Sequence, residues 1–186
     1  MNPILLDFPD SFQTRRLLVR APKAGDGIAV CDAIRTSLPD LKPWMPFARE
    51  EPKEDEVEIN IRRAQADFIL RKDLRMHIFH RETGQFVGST GLHRMNWEAR
   101  RFEIGYWCST AHAEQGYMTE AIQGLIDYAR RHLGAKRLEI CCDSLNLKSR
   151  KMAERLGFEL EAVLRSDDLS NDRSEYRDTC LYAAVF

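Results

Sequence analysis

Residues 103–121 read EIGYWCSTAHAEQGYMTEA, and their order of strand, turn and helix decides the fold. Residues 102–109 read as a strand carrying the aromatic pair Tyr106–Trp107, and 110–115 as a short polar turn. Gly116 then opens a helix to about Leu133, with Ala121, Ile122, Leu125, Ile126, Ala129 and Leu133 on one face and Gly134 as its stop. The first turn of a helix exposes N–H groups that lack intrahelical acceptors, and the dipole adds partial positive charge. An anion fits there, and Gly116 lets it approach the backbone. An ordinary strand–helix connection reads the same way, so the rest of the chain has to choose.

Downstream, residues 138–142 form a strand. A helical crossover between 102–109 and 138–142 makes those strands parallel. A second helix follows over 147–156, with Met152, Ala153 and Leu156 inward and Gly157 as its stop. Then come a strand (158–164), a polar loop (165–173) and a final strand (176–185), whose exposed edge is free to pair with another copy. Upstream, strands 76–79 and 86–92 join 102–109 by short connections, an antiparallel meander. Gly88 and Gly91 predict a bulge or a close neighbour in the middle strand. Val57, Ile61, Ala64 and Phe68 form one helical stripe behind the acidic stretch 50–58, whose simplest role is to suit the helix dipole. Residues 17–19 are a strand, 26–34 a short helix and 1–13 a loosely ordered lead-in. The proline-broken stretch 37–47 carries Trp44 and Phe47, which either line a pocket or plug a core edge. The expected architecture is a single α/β (α+β) domain over 1–186. Its mixed, mostly antiparallel sheet is flanked by helices and has a parallel pair splayed enough to admit a ligand.

The 186 residues are 44% hydrophobic and 31% charged, with a net charge of −1. That balance gives no electrostatic case for nucleic acid or an anionic membrane. The apolar runs are too short for a membrane span, and the first residues lack a secretory pattern. The five cysteines include no CxxC pair, so reduced thiols and a cytoplasmic protein are expected. His77, His80, His93, His112 and His132 do not cluster at ligand spacing, so no metal is expected.

Several segments, in order, resemble the GNAT superfamily of acyl-CoA-dependent N-acyltransferases, and within it the RimJ/RimL-like (ribosomal-protein N-terminal acetyltransferase) type. They are TRRLLVR at 14–20, FVGSTGL at 86–92, EIGYW at 103–107, GYMTEA at 116–121 and the N-x-x-S…L-G-F run from Asn146 to Phe158. The resemblance spans nearly the whole chain. It implies an acetyl-CoA-dependent N-acetyltransferase acting on a primary amine, possibly a protein N-terminal α-amine, by direct attack in a ternary complex. The family's pyrophosphate loop, Q/R-x-x-G-x-G/A, falls on residues 113–118, where only Gly116 keeps the pattern. Ala113 removes a polar side chain, Glu114 adds negative charge and Met118 adds bulk. Gln115 is a substitute donor. Those departures support an alternative, a degenerate acyl-CoA-binding sensor or regulatory module without turnover.

Amide formation needs a neutral amine, a polarised thioester carbonyl and a protonated leaving thiolate. An α-amine with a pKa near ~8 is about a tenth neutral at pH 7, so a modest base suffices. By the resemblance, Glu103 is that base; otherwise it is a solvated strand residue or pairs with Arg100 or Arg101. Backbone N–H groups at Trp107 and Cys108 would polarise the carbonyl if the strand bulges there, and the pantetheine arm would add to the same strand. The loop residues Glu114, Gln115, Gly116, Tyr117, Met118 and Thr119 are assigned to the cofactor. The resemblance also implies that Asn146 contacts pantetheine or acceptor and that Ser149 is the general acid. On the residues alone, Asn146 is an N-cap and Ser149 its N3 partner. Tyr176 and Tyr182 are fallback acids. Trp44 and His93 are assigned to the acceptor side. The implied partners are acetyl-CoA and an amine, with the protein a monomer or homodimer.

Overall fold

The computed structural model describes residues 2–186; residue 1 of the expected lead-in lies outside them. In chain order the strands are β1 (Ser11–Gln13), β2 (Leu17–Arg20), β3 (Leu74–His80), β4 (Phe86–Asn96), β5 (Arg101–Cys108), β6 (Arg137–Asp143), β7 (Glu159–Leu169) and β8 (Tyr176–Val185). The helices are α1 (Gly27–Thr36), α2 (Leu38–Leu41), α3 (Glu54–Ile69), α4 (Tyr117–Leu133) and α5 (Leu147–Arg155). The strands make an eight-stranded sheet in the order β1-β2-β3-β4-β5-β6-β8-β7. Every neighbouring pair is antiparallel except β5 and β6, which are parallel because α4 returns the chain across the sheet.

That parallel ladder is short. It pairs Arg101 with Arg137, Phe102 with Leu138 and Glu103 with Glu139, then stops, although β5 continues to Cys108 and β6 to Asp143. The two strands part at their C-terminal ends and leave a gap in the middle of the sheet. One face is dry: Ile122, Leu125, Ala129 and Leu133 of α4 pack on Leu17, Val19, Met76, Leu92, Phe102 and Ile104. Each such side chain stabilises the fold by about 1.5–3 kcal/mol through removal of apolar area from water. On the other face α1 and α3 build a smaller cluster around Ile34, Ile61 and Phe86.

Several sequence expectations are corrected. The lead-in contributes an edge strand, β1, whose Phe12 packs beside Tyr128. The proline-broken stretch holds α2, with a proline in its first turn, where the missing N–H costs nothing. The polar loop expected at 165–173 is shorter, because β7 runs on to Leu169; its outer residues are exposed, so no apolar alternation marked it. The final strand has no free edge, since β8 lies between β6 and β7, and the free edge belongs to β7. The glycines of β4 mark close neighbours: a Cβ on Gly88 would lie 2.3 Å from the Trp107 carbonyl oxygen, and one on Gly91 2.8 Å from the Arg75 Cα.

Candidate active site

Strand period 2 puts Glu103 and Gly105 of β5 on the α1/α3 face, while Phe102, Ile104 and Tyr106 look toward α4 and α5. A cleft of 690 Å³ opens on the first face and reaches the β5–β6 gap. Glu103, His93, Trp44, Trp107, Asn146 and Ser149 all line it, so six of the residues singled out in the sequence meet in one place. On the floor, the His93 ring fills the space that a Cβ on Gly105 would take. Trp107, flanked by the tilted rings of Phe47 and Phe86 with centroids 5.6 Å away in each case, closes one end. The turn after β7 ties down the wall: the Asn171 amide donates to the carbonyl of Lys42 (2.6 Å), and Arg49 donates to the Asn171 carbonyl (2.6 Å).

Glu103 pairs with neither Arg100 nor Arg101. Its carboxylate accepts from Arg94 at 3.0 Å. Arg94 reaches it because β4 is bulged between His93 and Asn96, with Arg94 at φ 44°, which turns its side chain onto the face that plain alternation would deny it. The imidazole of His93, directly opposite Glu103, donates from Nδ1 to the Asp73 carboxylate at 2.6 Å.

On the other side of the gap, Ser149 keeps both roles open. Its backbone N–H donates to the Asn146 side chain at 3.1 Å, so Asn146 is the N-cap of α5. Its hydroxyl meets the phenolic oxygen of Tyr106 at 2.8 Å. Burial pushes the Tyr106 hydroxyl up to about 12, with the Ser149 contact pulling the other way. Sequence reading did not single out the Tyr106 hydroxyl, because the residue sits in an aromatic run that reads as packing. Neither fallback tyrosine is in the cleft: Tyr182 is buried against Arg150 and Glu154, and Tyr176 is exposed. Burial also raises the thiols of Cys141 to about 12 and Cys142 to about 11, so both are held protonated.

The bulge expected near Trp107 and Cys108 is absent, since the β4–β5 register is regular there. The Ser109 N–H donates to Val87 at 2.9 Å, so by strict alternation the N–H groups of Tyr106 and Cys108 face the gap and that of Trp107 faces β4. The Cys108 side chain itself is turned away, with its thiol on the Val87 carbonyl and raised to about 11 by burial.

The loop residues Glu114 to Thr119 do not line the cleft; they sit beyond the end of β5. Glu114 (φ 61°) and Gly116 (φ 77°) adopt left-handed conformations that bend the chain into α4, and no side chain caps this helix. The N–H groups of Tyr117, Met118 and Thr119 therefore remain open donors. Met118 is buried in the α4 core near Gly88, so its bulk is directed away from them. The Gln115 amide donates one of its two N–H groups to the Ala111 carbonyl at 3.1 Å. The nearby cation is Arg16, whose guanidinium lies 4.3 Å from the Tyr117 ring centroid and donates to the Gln115 carbonyl at 3.1 Å. Glu120 fixes it at 2.7 Å. Burial opposes charge on Glu120, but hydrogen bonds from Thr14 and Arg16 outweigh it and hold the carboxyl below its usual range.

Comparison with known proteins bears on this geometry. Residues 16–159 match the family described as "Acetyltransferase (GNAT) domain". The chain is 29% identical to an N-acetyltransferase, p20, of Bacillus licheniformis (88% of this chain, 90% of the other). It is 29% identical to the ribosomal-protein-serine acetyltransferase of Escherichia coli K12 (81% and 80%). Among solved structures, the microcin C7 self-immunity acetyltransferase MccE, in complex with acetyl-CoA and AMP, shares the fold at TM-score 0.87 and 22% identity (96% and 98%). RimL, the ribosomal L7/L12 α-N-protein acetyltransferase in complex with coenzyme A, does so at TM-score 0.86 and 20% identity (93% and 96%).

Proposed function

This chain belongs to the GNAT acetyltransferase family, and on that premise we propose how it transfers an acetyl group from acetyl-CoA to a primary amine. The observation that carries the reading is that one cleft holds a carboxylate, Glu103, from one face of β5 and a hydroxyl pair, Tyr106 with Ser149, from the other. Amide formation needs a proton acceptor at the nitrogen and a proton donor at the sulfur, and the pleat of β5 keeps the two apart.

The open N–H groups of Tyr117, Met118 and Thr119 hold the pyrophosphate of the cosubstrate. The unpaired edge of β5 at Tyr106 and Cys108 accepts the pantetheine arm as an added strand and polarises the thioester carbonyl. Glu103 takes a proton from the attacking nitrogen, directly or through water. Tyr106, relayed by Ser149, protonates the departing thiolate. The cleft cysteines are held as thiols, which favours direct attack over an acyl-cysteine route. The acceptor enters past Trp44 and His93. A protein N-terminal α-amine suits a weak carboxylate base, in keeping with the ribosomal-protein acetyltransferase among the relatives. The whole chain acts as one acetyltransferase domain in the cytoplasm, where five unpaired thiols persist. Of the three departures behind the sensor reading, Met118 does not crowd the anion donors, while Ala113 and Glu114 stand.

The test is calorimetric binding of acetyl-CoA, followed in the same sample by thiol release with α-amines, alkyl polyamines and lysine side chains. Binding with release for one class is the expected result. Binding without release from any amine would leave a binding module.

A further inference from the structure

We infer that His93, oriented by Asp73, is a second proton acceptor of the acceptor cleft: it strips the ammonium form of the acceptor to the free amine before attack. The inference rests on the acetyltransferase reading above and adds a residue to it.

An ammonium acceptor must lose two protons in becoming an amide, one to expose its lone pair and one after the C–N bond forms. Two basic groups face each other in the cleft, since His93 of β4 pairs directly with Glu103 of β5. Asp73 selects the tautomer of the neutral ring. A carboxylate only accepts, so its 2.6 Å contact puts the single proton of a neutral imidazole on Nδ1 and turns the Nε2 lone pair toward the cleft. Asp73 is itself held by the Arg75 N–H at 3.1 Å. Gly105 makes room for the reactive edge: a Cβ there would lie 2.9 Å from Nε2 and 2.7 Å from Cδ2. The Nε2–Cδ2 edge therefore lies on the Gly105 backbone at the floor of the cleft, and no protein group hydrogen-bonds Nε2 among the described residues. His77 makes a similar contact with Asp26, but its side chain is 2% exposed against 29% for His93, so only His93 is reached by an acceptor.

The protons balance. The ammonium gives one proton to Nε2, forming an imidazolium paired with Asp73. The free amine attacks the thioester carbonyl, the C–S bond breaks, and the Tyr106–Ser149 pair protonates the thiolate. Glu103 takes the second nitrogen proton. One proton returns to the hydroxyl pair through solvent, and one is released. Asp73 is a positioning residue here, while His93 is catalytic. An imidazole suits the first transfer better than a carboxylate, because its ordinary pKa of ~6.5 lies nearer that of an α-amine.

The test compares wild type, His93→Gln and Asp73→Asn on two acceptors: an α-amine that is ammonium at neutral pH, and an aromatic amine that is already neutral. For His93→Gln, kcat/KM should fall on the order of 10²–10⁴-fold with the first acceptor and only a few-fold with the second. Nitrogen NMR of the wild-type imidazole should find Nε2 without a proton, and Asp73→Asn should move the proton onto Nε2. Equal losses on both amines, or a wild-type ring protonated at Nε2, would overturn the role of His93 while leaving the acetyltransferase standing. A wild-type protein that binds acetyl-CoA but releases no thiol to any amine would overturn both.

Discussion

The two faces of β5 carry opposite chemistry on alternate residues. Phe102 and Ile104 are buried in the apolar core beside α4, while Glu103 and Gly105 face a cleft that also holds Arg94 and His93, the latter backed by Asp73. The strand has to satisfy both, and it does so through the pleat alone. Free energy of folding thus comes mostly from one face and reactivity from the other. The faces should therefore respond separately to substitution, except at Tyr106, which packs against the dry core yet opens onto the gap.

The largest expected effect lies on the wet face. Glu103→Gln keeps the shape and removes the base, and should lower kcat/KM on the order of 10²–10⁴-fold with acetyl-CoA affinity and melting temperature near wild type. A large drop in melting temperature instead would mean that the cleft face also carries the fold. On the dry face, Leu125→Ala in α4 removes a fully buried side chain and should cost about 2–5 kcal/mol in denaturant unfolding. The protein that remains folded should turn over normally. Lost turnover at full folding would break the separation.

Tyr106→Phe probes the residue that belongs to both faces. Turnover should fall as the thiolate loses its donor, by about 10²-fold. Stability at neutral pH should change little, but its alkaline dependence should soften. Burial raises the Tyr106 hydroxyl from 10 to about 12 in the folded state. The folded protein then holds a proton that the unfolded chain releases, so this contribution is intact below pH 10 and lost as pH rises toward 12. Two units correspond to about 2.7 kcal/mol at most. Unfolding followed from pH 9 to 11.5 should therefore show a shallower decline in the variant. Identical slopes would mean that the phenol is not the group that titrates.

How far the sequence exposed this arrangement depended on how local each feature is. The strand–turn–helix order at 102–133 and the parallel pair were legible because periodicity and crossover length are local. Glu103, Asn146 and Ser149 were legible because they fall in short motifs. Arg94 was not: its access to Glu103 depends on a positive φ at a non-glycine residue, for which no composition signal exists. Asp73 and His93 stand twenty positions apart and meet only through the β3–β4 hairpin register. Arg16 reaches the α4 N-terminus across 104 positions through Glu120, a contact that no spacing rule announces. The polar end of β7 was missed because an exposed strand has no apolar alternation to read.

Arg94→Ala is the smallest of these perturbations and the sharpest on the wet face. Its guanidinium is 77% exposed and its partner Glu103 only 17%. An exposed cation contributes little to stability, so unfolding should shift by less than about 0.5 kcal/mol. Its effect on function is of another kind. Arg94 neutralises the carboxylate that a cationic acceptor must approach, and it hangs from the bulge at the cleft wall. Removing it leaves Glu103 unscreened, so KM for an ammonium acceptor should fall about two- to five-fold, with kcat nearly constant. The gain should fade as salt rises from 50 to 500 mM, because the interaction with an exposed site is screened over roughly a Debye length. A rise in KM would reverse the assignment. Arg94 would then hold an anionic part of the acceptor, such as the carboxylate of a neighbouring acidic residue, and the bulge in β4 would exist to present a binding cation rather than to moderate the base.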